Sequence, residues 1–134
     1  CRRQWSLVDD TNLRYGELNE FDKAMVKLLK KGDLLSLPAE NRWQHQEDKI
    51  LIYTKGDTVF VFNFHPTRSF DGYFIPVGAK GTYKVVLSTD DGEFGGFSRI
   101  DTAQKYKATV TPAGWIGFNC YLPCRSAMVF KKQR

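Results

Sequence analysis

The chain has 134 residues, of which 42% are hydrophobic and 14% aromatic. That is enough for one domain, or one domain with an appendage, with a packed core. The composition excludes a disordered chain, and no apolar run approaches the ~20 residues of a membrane span. The net charge is +5, but away from the ends the basic residues are mixed with acidic ones. A basic stripe with interleaved aromatics, typical of nucleic-acid binders, is missing. We therefore expect neither a membrane nor a nucleic acid as partner.

The first part of the chain, residues 5–31, has a helical pattern. Asn19 is a candidate N-cap, and Gly32 is a stop signal after a last turn that is rich in lysine. One apolar stripe follows the spacing i, i+4, i+7 and i+8, and its members are Phe21, Met25, Leu28 and Leu29. Such a stripe predicts packing against another surface.

Residues 33–47 have the composition of a connector. Pro38, Asn41 and a dense polar run interrupt any periodicity, and Trp43 stands alone among them. The pattern predicts that this segment links the helical part to the remainder of the chain.

From Lys49 onward short strands dominate the pattern. The runs 50–55 and 58–64 flank Gly56-Asp57, a two-residue hairpin signal. Further strands are predicted at 72–77, 82–88, 105–111, 121–122 and 126–131. Many short strands at this spacing predict a mainly β fold, an antiparallel β-sandwich preceded by a short helical segment.

The run 88–101 is the most unusual loop. Its Gly95-Gly96 pair lies between Phe94 and Phe97, which indicates positive φ values or a close approach to another surface. The two phenylalanines gain about 2 kcal/mol each if fully buried. We expect this loop to pack against something.

The same loop holds the one tempting cluster of carboxylates: Asp90, Asp91, Glu93 and Asp101. Glycoside hydrolysis needs two carboxyl groups that flank the scissile bond, but aspartates beside glycines usually cap turns. His45 and His65 are isolated, and we expect no metal site. The spacing of Cys120 and Cys124 fits neither zinc nor redox motifs, so we expect reduced structural thiols. We predict no catalytic residue.

Three aromatic residues are candidates for a sugar-binding surface. Trp43, Trp115 and Tyr73 each lie beside turn or polar residues, and exposed rings stack on the C–H faces of glucose. The alternative is that each ring packs in the core or between domains.

Three segments carry a resemblance to a known family. They are the loop 88–101, the run from Val59 to Pro66, and the run from Cys1 to Asp10. In the same order, over nearly the whole chain, they resemble the C-terminal region of 1,4-α-glucan (glycogen or starch) branching enzymes of the α-amylase superfamily.

The resemblance implies a division of the chain. Residues 1–32 would be the last helical part of an upstream catalytic (β/α)8 domain, 33–47 a connector, and 48–134 a C-terminal β-sandwich of the α-amylase all-β type. Phe94, Gly95, Gly96 and Phe97, with the helical stripe, would pack between domains.

The resemblance also implies an activity for the longer protein. It would cut an α-1,4 link in a glucan and transfer the segment to a 6-hydroxyl in glycogen biosynthesis, in the cytoplasm and without a cofactor. This chain lacks the barrel and would be inactive alone, an accessory domain with at most weak α-glucan contact. The alternative is an autonomous glycan-binding module.

Overall fold

The computed structural model describes residues 4–134. Residues 1–3 of the predicted helical part, Cys1 among them, lie outside the described residues. A 3₁₀ turn (Trp5–Val8) and a helix, α1 (Tyr15–Lys30), precede the strands. The strands are β1 (Glu40–His45), β2 (Ile50–Lys55), β3 (Thr58–Asn63), β4 (Phe70–Pro76), β5 (Gly81–Ser88), β6 (Lys105–Val110), β7 (Ile116–Leu122) and β8 (Ser126–Lys132).

All strand pairs are antiparallel, in the order β1-β2-β3-β8-β5-β6-β7-β4. β1 and β4 are the two ends of this order, yet the Trp43 indole N–H of β1 donates to the Tyr73 hydroxyl of β4 at 3.0 Å. The sheet therefore curls until its two halves face each other. The predicted antiparallel β-sandwich is confirmed.

The core lies between these two halves. Phe118 of β7 meets Phe130 of β8 at a ring-centroid distance of 5.2 Å, and Tyr106 of β6 packs against both rings. Ile52 of β2 and Ile75 of β4 are fully buried in the same cluster. Because alternate residues of a strand point to opposite faces, the strands β2 to β8 each direct part of their side chains into this core.

The hairpin predicted at Gly56-Asp57 is confirmed. β2 and β3 pair from Ile50 with Asn63 to Lys55 with Thr58, and Gly56 has φ +55°. The turn at residues 78–81 is different, because β4 pairs with β7 while β5 pairs with β6 and β8. It joins two strands that are not neighbours.

The structure differs from the predicted connector. Residues 40–45 of the segment 33–47 form β1, which pairs with β2 and carries a bulge between Asn41 and Trp43. This strand is at the end of the sheet and has no fully buried side chain, so its sequence shows no apolar alternation. Backbone pairing with β2 specifies it instead, and the sandwich begins before residue 48.

The predicted N-cap is wrong. α1 begins at Tyr15, after Arg14, with no side-chain cap, and Asn19 lies inside its second turn. The first turn of the helix packs against the loop 92–96: a Cβ atom on Gly95 would lie 2.2 Å from the Glu17 carboxylate. Tertiary contact thus overrides the local preference of Asn19. At the other end the prediction holds, because Gly32 follows the helix with φ +84°.

α1 folds back onto the outer face of the sandwich. Leu28 and Leu29 pack on a second apolar cluster formed by Leu34, Phe60 of β3 and Val129 of β8. The predicted stripe is therefore buried in part against the chain's own sheet.

Candidate functional site

The three aromatic residues predicted as sugar-binding candidates lie together at one surface groove. Trp43, Tyr73 and Trp115 line it with Phe74, Pro76 and Thr111, and its volume is 580 Å³. They come from β1, from β4 and from the turn between β6 and β7, so 72 residues of sequence separate the first from the last. The curling of the sheet brings them together, because β1 and β4 meet at this edge.

Trp43 and Tyr73 are held by a polar chain behind the groove. The Trp43 indole N–H donates to the Tyr73 hydroxyl, which in turn donates to Asp48 Oδ2 at 3.3 Å. Burial raises the pKa of the Tyr73 phenol, in spite of the bond from Trp43. The phenol therefore stays protonated and keeps its hydrogen bond to the Asp48 carboxylate.

Asp48 is the central acceptor of this chain. The Arg68 guanidinium donates to Asp48 Oδ1 at 3.2 Å and lies 4.6 Å from the centroid of the Phe70 ring. Phe70 meets the edge of Tyr73 at 5.1 Å. These contacts hold Tyr73 in place, and its ring packs against the core while it also lines the groove.

Trp115 is presented by a closed turn. The Thr111 N–H donates to the Trp115 carbonyl at 2.7 Å, and the Trp115 N–H donates to the Thr111 hydroxyl at 3.1 Å. Gly114 has φ +85°, a conformation that glycine adopts without strain. The backbone is thus fixed while the indole is 52% exposed, compared with 39% for Trp43.

Phe74, Pro76 and Thr111 were not predicted as groove residues. Alternation along β4 could not predict them, because it puts Phe74 and Pro76 on the face opposite Ile75, whereas Tyr73 packs against the core on the side of Ile75. Gly117 of β7 is needed beneath them, because a Cβ atom there would lie 2.4 Å from the Phe74 ring. Pro76 ends β4, at an edge of the sheet where a missing N–H is tolerated.

Among the described residues, the lining of the groove is mostly apolar and includes no carboxyl group. It contains aromatic rings, a proline and the hydroxyls of Tyr73 and Thr111. The nearby Asp48 carboxylate accepts hydrogen bonds from Arg68 and Tyr73 and lies 3.1 Å from His45 Nδ1. Glycoside hydrolysis needs two carboxyl groups around the scissile bond. The arrangement fits a flat ligand with apolar faces, such as a sugar ring.

The carboxylate cluster of the loop 88–101 has a structural explanation. The Asp90 side chain is 3% exposed and accepts two hydrogen bonds from the Arg99 guanidinium, at 3.0 Å and 2.6 Å, and one from the Arg99 backbone N–H. Burial alone raises the pKa of Asp90, but these bonds and the charge of Arg99 outweigh it, so the pKa lies below its usual value.

Asp91 has a role in the same loop. Its side chain accepts from the Glu93 N–H and caps a short 3₁₀ turn, Gly92–Phe94. Gly96 packs against the backbone of Asp90, where a Cβ atom would lie 2.2 Å from the carbonyl. The carboxylates and glycines of this loop therefore fix its own shape.

The residues predicted to pack between domains separate into two groups. Phe21 of α1 and Phe94 meet edge to face at 5.4 Å, while Gly95 faces Glu17 and Met25 is half-buried. Phe97 is 76% exposed, with the Arg99 guanidinium 5.2 Å from its ring centroid. Contact with a further domain stays a prediction for all of them.

His45, which was predicted to be isolated, is not. Its ring stacks on Trp43 at a centroid distance of 6.1 Å. Its Nδ1 accepts the Asp48 N–H and lies 3.1 Å from Asp48 Oδ2.

The other candidates lie apart from His45. The His65 ring accepts N–H bonds from Thr67 and Arg68 within its turn. Cys120 is buried, which raises the pKa of its thiol to about 12, and Cys124 is a free thiol near Arg99. Within residues 4–134 no three potential metal ligands gather. In the same part of the chain no helix is long and apolar enough to cross a membrane.

Comparison with known proteins gives a consistent result. Residues 41–133 match the family model described as the alpha amylase, C-terminal all-beta domain. The chain is 45% identical to a 1,4-alpha-glucan-branching enzyme of Yarrowia lipolytica, over 99% of this chain and 20% of that protein. It is also 45% identical to the enzyme of that name from Candida glabrata, over 99% of this chain and 19% of that protein.

A plant relative carries the same enzyme name. The chain is 38% identical to 1,4-alpha-glucan-branching enzyme 2-2, chloroplastic/amyloplastic, of Arabidopsis thaliana, over 97% of this chain and 16% of that protein. The chain thus spans about a fifth or less of the length of these relatives.

Proposed function

Since the chain belongs to the alpha-amylase C-terminal all-β domain family, we propose that it is the C-terminal accessory region of a 1,4-α-glucan branching enzyme of glycogen biosynthesis. The longer protein transfers an α-1,4-glucan segment to a 6-hydroxyl. The sandwich contributes no catalytic group. It covers an upstream catalytic (β/α)8 domain and holds α-glucan weakly in the aromatic groove.

The single observation that carries glucan binding is the convergence of Trp43, Tyr73 and Trp115 on one groove. Two of these rings are substantially exposed, although a buried position would stabilise them more. A ring that is exposed and yet fixed by a hydrogen-bonded chain or a closed turn loses little conformational freedom when a ligand stacks on it.

The proposed contact with a catalytic domain rests on other exposed side chains. Trp5, Phe64 and Phe97 are each more than 60% exposed, and the relatives carry about four-fifths of their length outside the region matched here. A large apolar side chain that is exposed to water is stabilised by burial against a partner surface. We assign these residues to contact with the rest of the longer chain.

Affinity electrophoresis in gels that contain glycogen tests the groove. We expect slight retardation of the 134-residue chain, and its loss in Trp43→Ala and in Trp115→Ala. By analogy with base stacking, each ring contributes about 1 kcal/mol. Trp5→Ala is the matched control, because it removes an exposed indole outside the groove and should leave the retardation unchanged.

Two results would contradict this proposal. Retardation that survives both groove substitutions, or that falls equally in Trp5→Ala, would place binding elsewhere. Separately, turnover of amylose above that of a denatured sample, followed by iodine absorbance, would contradict the assignment as a non-catalytic region.

A further inference from the structure

Strand register places lysines side by side on the outer face of the sandwich. Lys55 of β2 is opposite Thr58 of β3, which is opposite Lys131 of β8. Lys131 is opposite Lys84 of β5, and Lys84 is opposite Lys105 of β6. Directly opposite residues project from the same face, so four lysines and one threonine form a row across five adjacent strands. We call these five residues the lysine row.

Four of the five residues of the lysine row line one cavity. The cavity has a volume of 810 Å³, and Lys55, Thr58, Lys84 and Lys131 belong to its lining. Three further cations surround it, and it contains one carboxylate; these residues are Lys31, Lys132, Arg134 and Asp57. Within residues 4–134, none of the six cations that line the cavity forms an ion pair within 4 Å.

The fold itself offers little compensation for these charges. The Lys55 ammonium donates to the Leu34 carbonyl at 2.9 Å, and Lys31 follows the C-terminus of α1, where cations are favoured. Lys84 and Lys131 have no such role among the hydrogen bonds of the described residues. Like charges directly opposite on neighbouring strands are destabilising, so the arrangement costs stability unless an anion is bound.

From this convergence of cations on one cavity we propose a binding site for a small ligand that carries phosphoryl groups. Each ammonium can donate a charge-assisted hydrogen bond to a phosphoryl oxygen. The volume suits a small molecule, and Leu37 and Val86 add apolar walls for an organic body. This site is separate from the aromatic groove and does not depend on glucan binding.

The lining also argues against a nucleic acid. Single-stranded chains bind where aromatic rings stack on successive bases beside a basic track. Among the described residues, no aromatic side chain lines this cavity. A ligand in this concave site would be recognised by its charge, so the site suits a compact multivalent anion.

Isothermal titration calorimetry at low salt with pyrophosphate tests the site. We expect one pyrophosphate per chain, and binding that is roughly tenfold weaker or worse in Lys84→Gln/Lys131→Gln. The control is Arg14→Gln/Lys23→Gln, which removes the same charge from two side chains that are 82% and 62% exposed. The control should bind as the unaltered chain does.

Parallel titrations distinguish the source of the phosphoryl group. Tighter binding of glucose 6-phosphate than of pyrophosphate assigns the site to a phosphate ester, and the reverse order assigns it to a free phosphate. Equal binding by both double variants and the unaltered chain would overturn the proposal. So would an equal loss in the control, or an oligonucleotide that binds more tightly than either small anion.

A second measurement uses the unaltered chain, in case the Lys84→Gln/Lys131→Gln variant does not fold. Pyrophosphate should protect Lys84 and Lys131 from an amine-reactive acylating reagent, and leave Lys23 and Lys27 unprotected. Uniform protection of all lysines, or none, would overturn the site.

Discussion

Two aromatic clusters of this molecule differ in how far their rings are covered by the rest of the chain. At the junction of α1 with the loop 92–96, Phe21 and Phe94 pack edge to face. At the groove, Trp43 and Trp115 keep 39% and 52% of their surface exposed. Both clusters combine residues that are distant in sequence, but only in the first do the rings pack against each other.

The difference lies in what surrounds the rings. The junction is held by a partly buried ion pair, Asp90 with Arg99, which fixes the loop that carries Phe94. The groove is backed by the hydrogen-bonded chain through Tyr73 and Asp48, and no segment of the described residues covers it. The polar network at the junction therefore supports packed rings, whereas the polar network at the groove holds rings that stay exposed to solvent.

The largest expected effect concerns the junction. Asp90→Ala removes the partner of a partly buried guanidinium and four hydrogen bonds, so we expect a loss of about 3 kcal/mol in the free energy of unfolding. Urea denaturation measures it. Glu20→Ala breaks an exposed pair with Lys23 and should change stability by less than about 1 kcal/mol. Equal effects would mean that the Asp90 pair does not organise the loop.

The same pair predicts a pH dependence. The pKa of Asp90 is lower in the folded chain than its ordinary value, so its contribution is complete above about pH 4 and is lost as the pH falls through the folded value. The stability difference between the unaltered chain and Asp90→Ala should narrow below about pH 4. A difference that stays constant down to about pH 2 would contradict the low pKa.

An intermediate effect distinguishes two phenylalanines of one loop. Phe94→Ala removes a ring that packs on Phe21 and should cost about 2 kcal/mol. Phe97→Ala removes a ring that is 76% exposed and should cost less than about 0.5 kcal/mol. Thermal unfolding of both variants measures the contrast. Equal melting temperatures would show that Phe21 and Phe94 do not stabilise the junction.

The smallest effect concerns the groove. Tyr73→Phe keeps the ring but removes the hydroxyl between Trp43 and Asp48, so we expect about 1 kcal/mol of lost stability. We also expect weaker retardation in glycogen gels, because Trp43 is no longer fixed. Tyr15→Phe, which removes an exposed tyrosine hydroxyl on α1, is the control. Full retardation in Tyr73→Phe would mean that this chain does not position the indole.

Local patterns in the sequence were sufficient for several elements. The Gly56-Asp57 turn and the strand-like runs on either side of it predict the hairpin that is observed. The stripe of α1 predicts a buried face, because its spacing matches the helical repeat. Period and turn chemistry are local properties, and they predict such elements well.

Other features depend on partners that are remote in sequence. β1 has no apolar alternation and exists because β2 pairs with it. α1 begins before Asn19 because its first turn rests on Gly95. In both cases a contact with a distant segment outweighs the local preference.

By itself the sequence determined the fold class, the hairpin, the helical stripe and the three candidate aromatic residues. Only the tertiary structure decided that Trp43, Tyr73 and Trp115 share one groove, and that Lys55, Lys131, Lys84 and Lys105 form one row. The reason is physical: a side chain's neighbours across a sheet are set by strand order and register. Here non-local pairing fixes both, with β8 between β3 and β5 and β7 between β6 and β4.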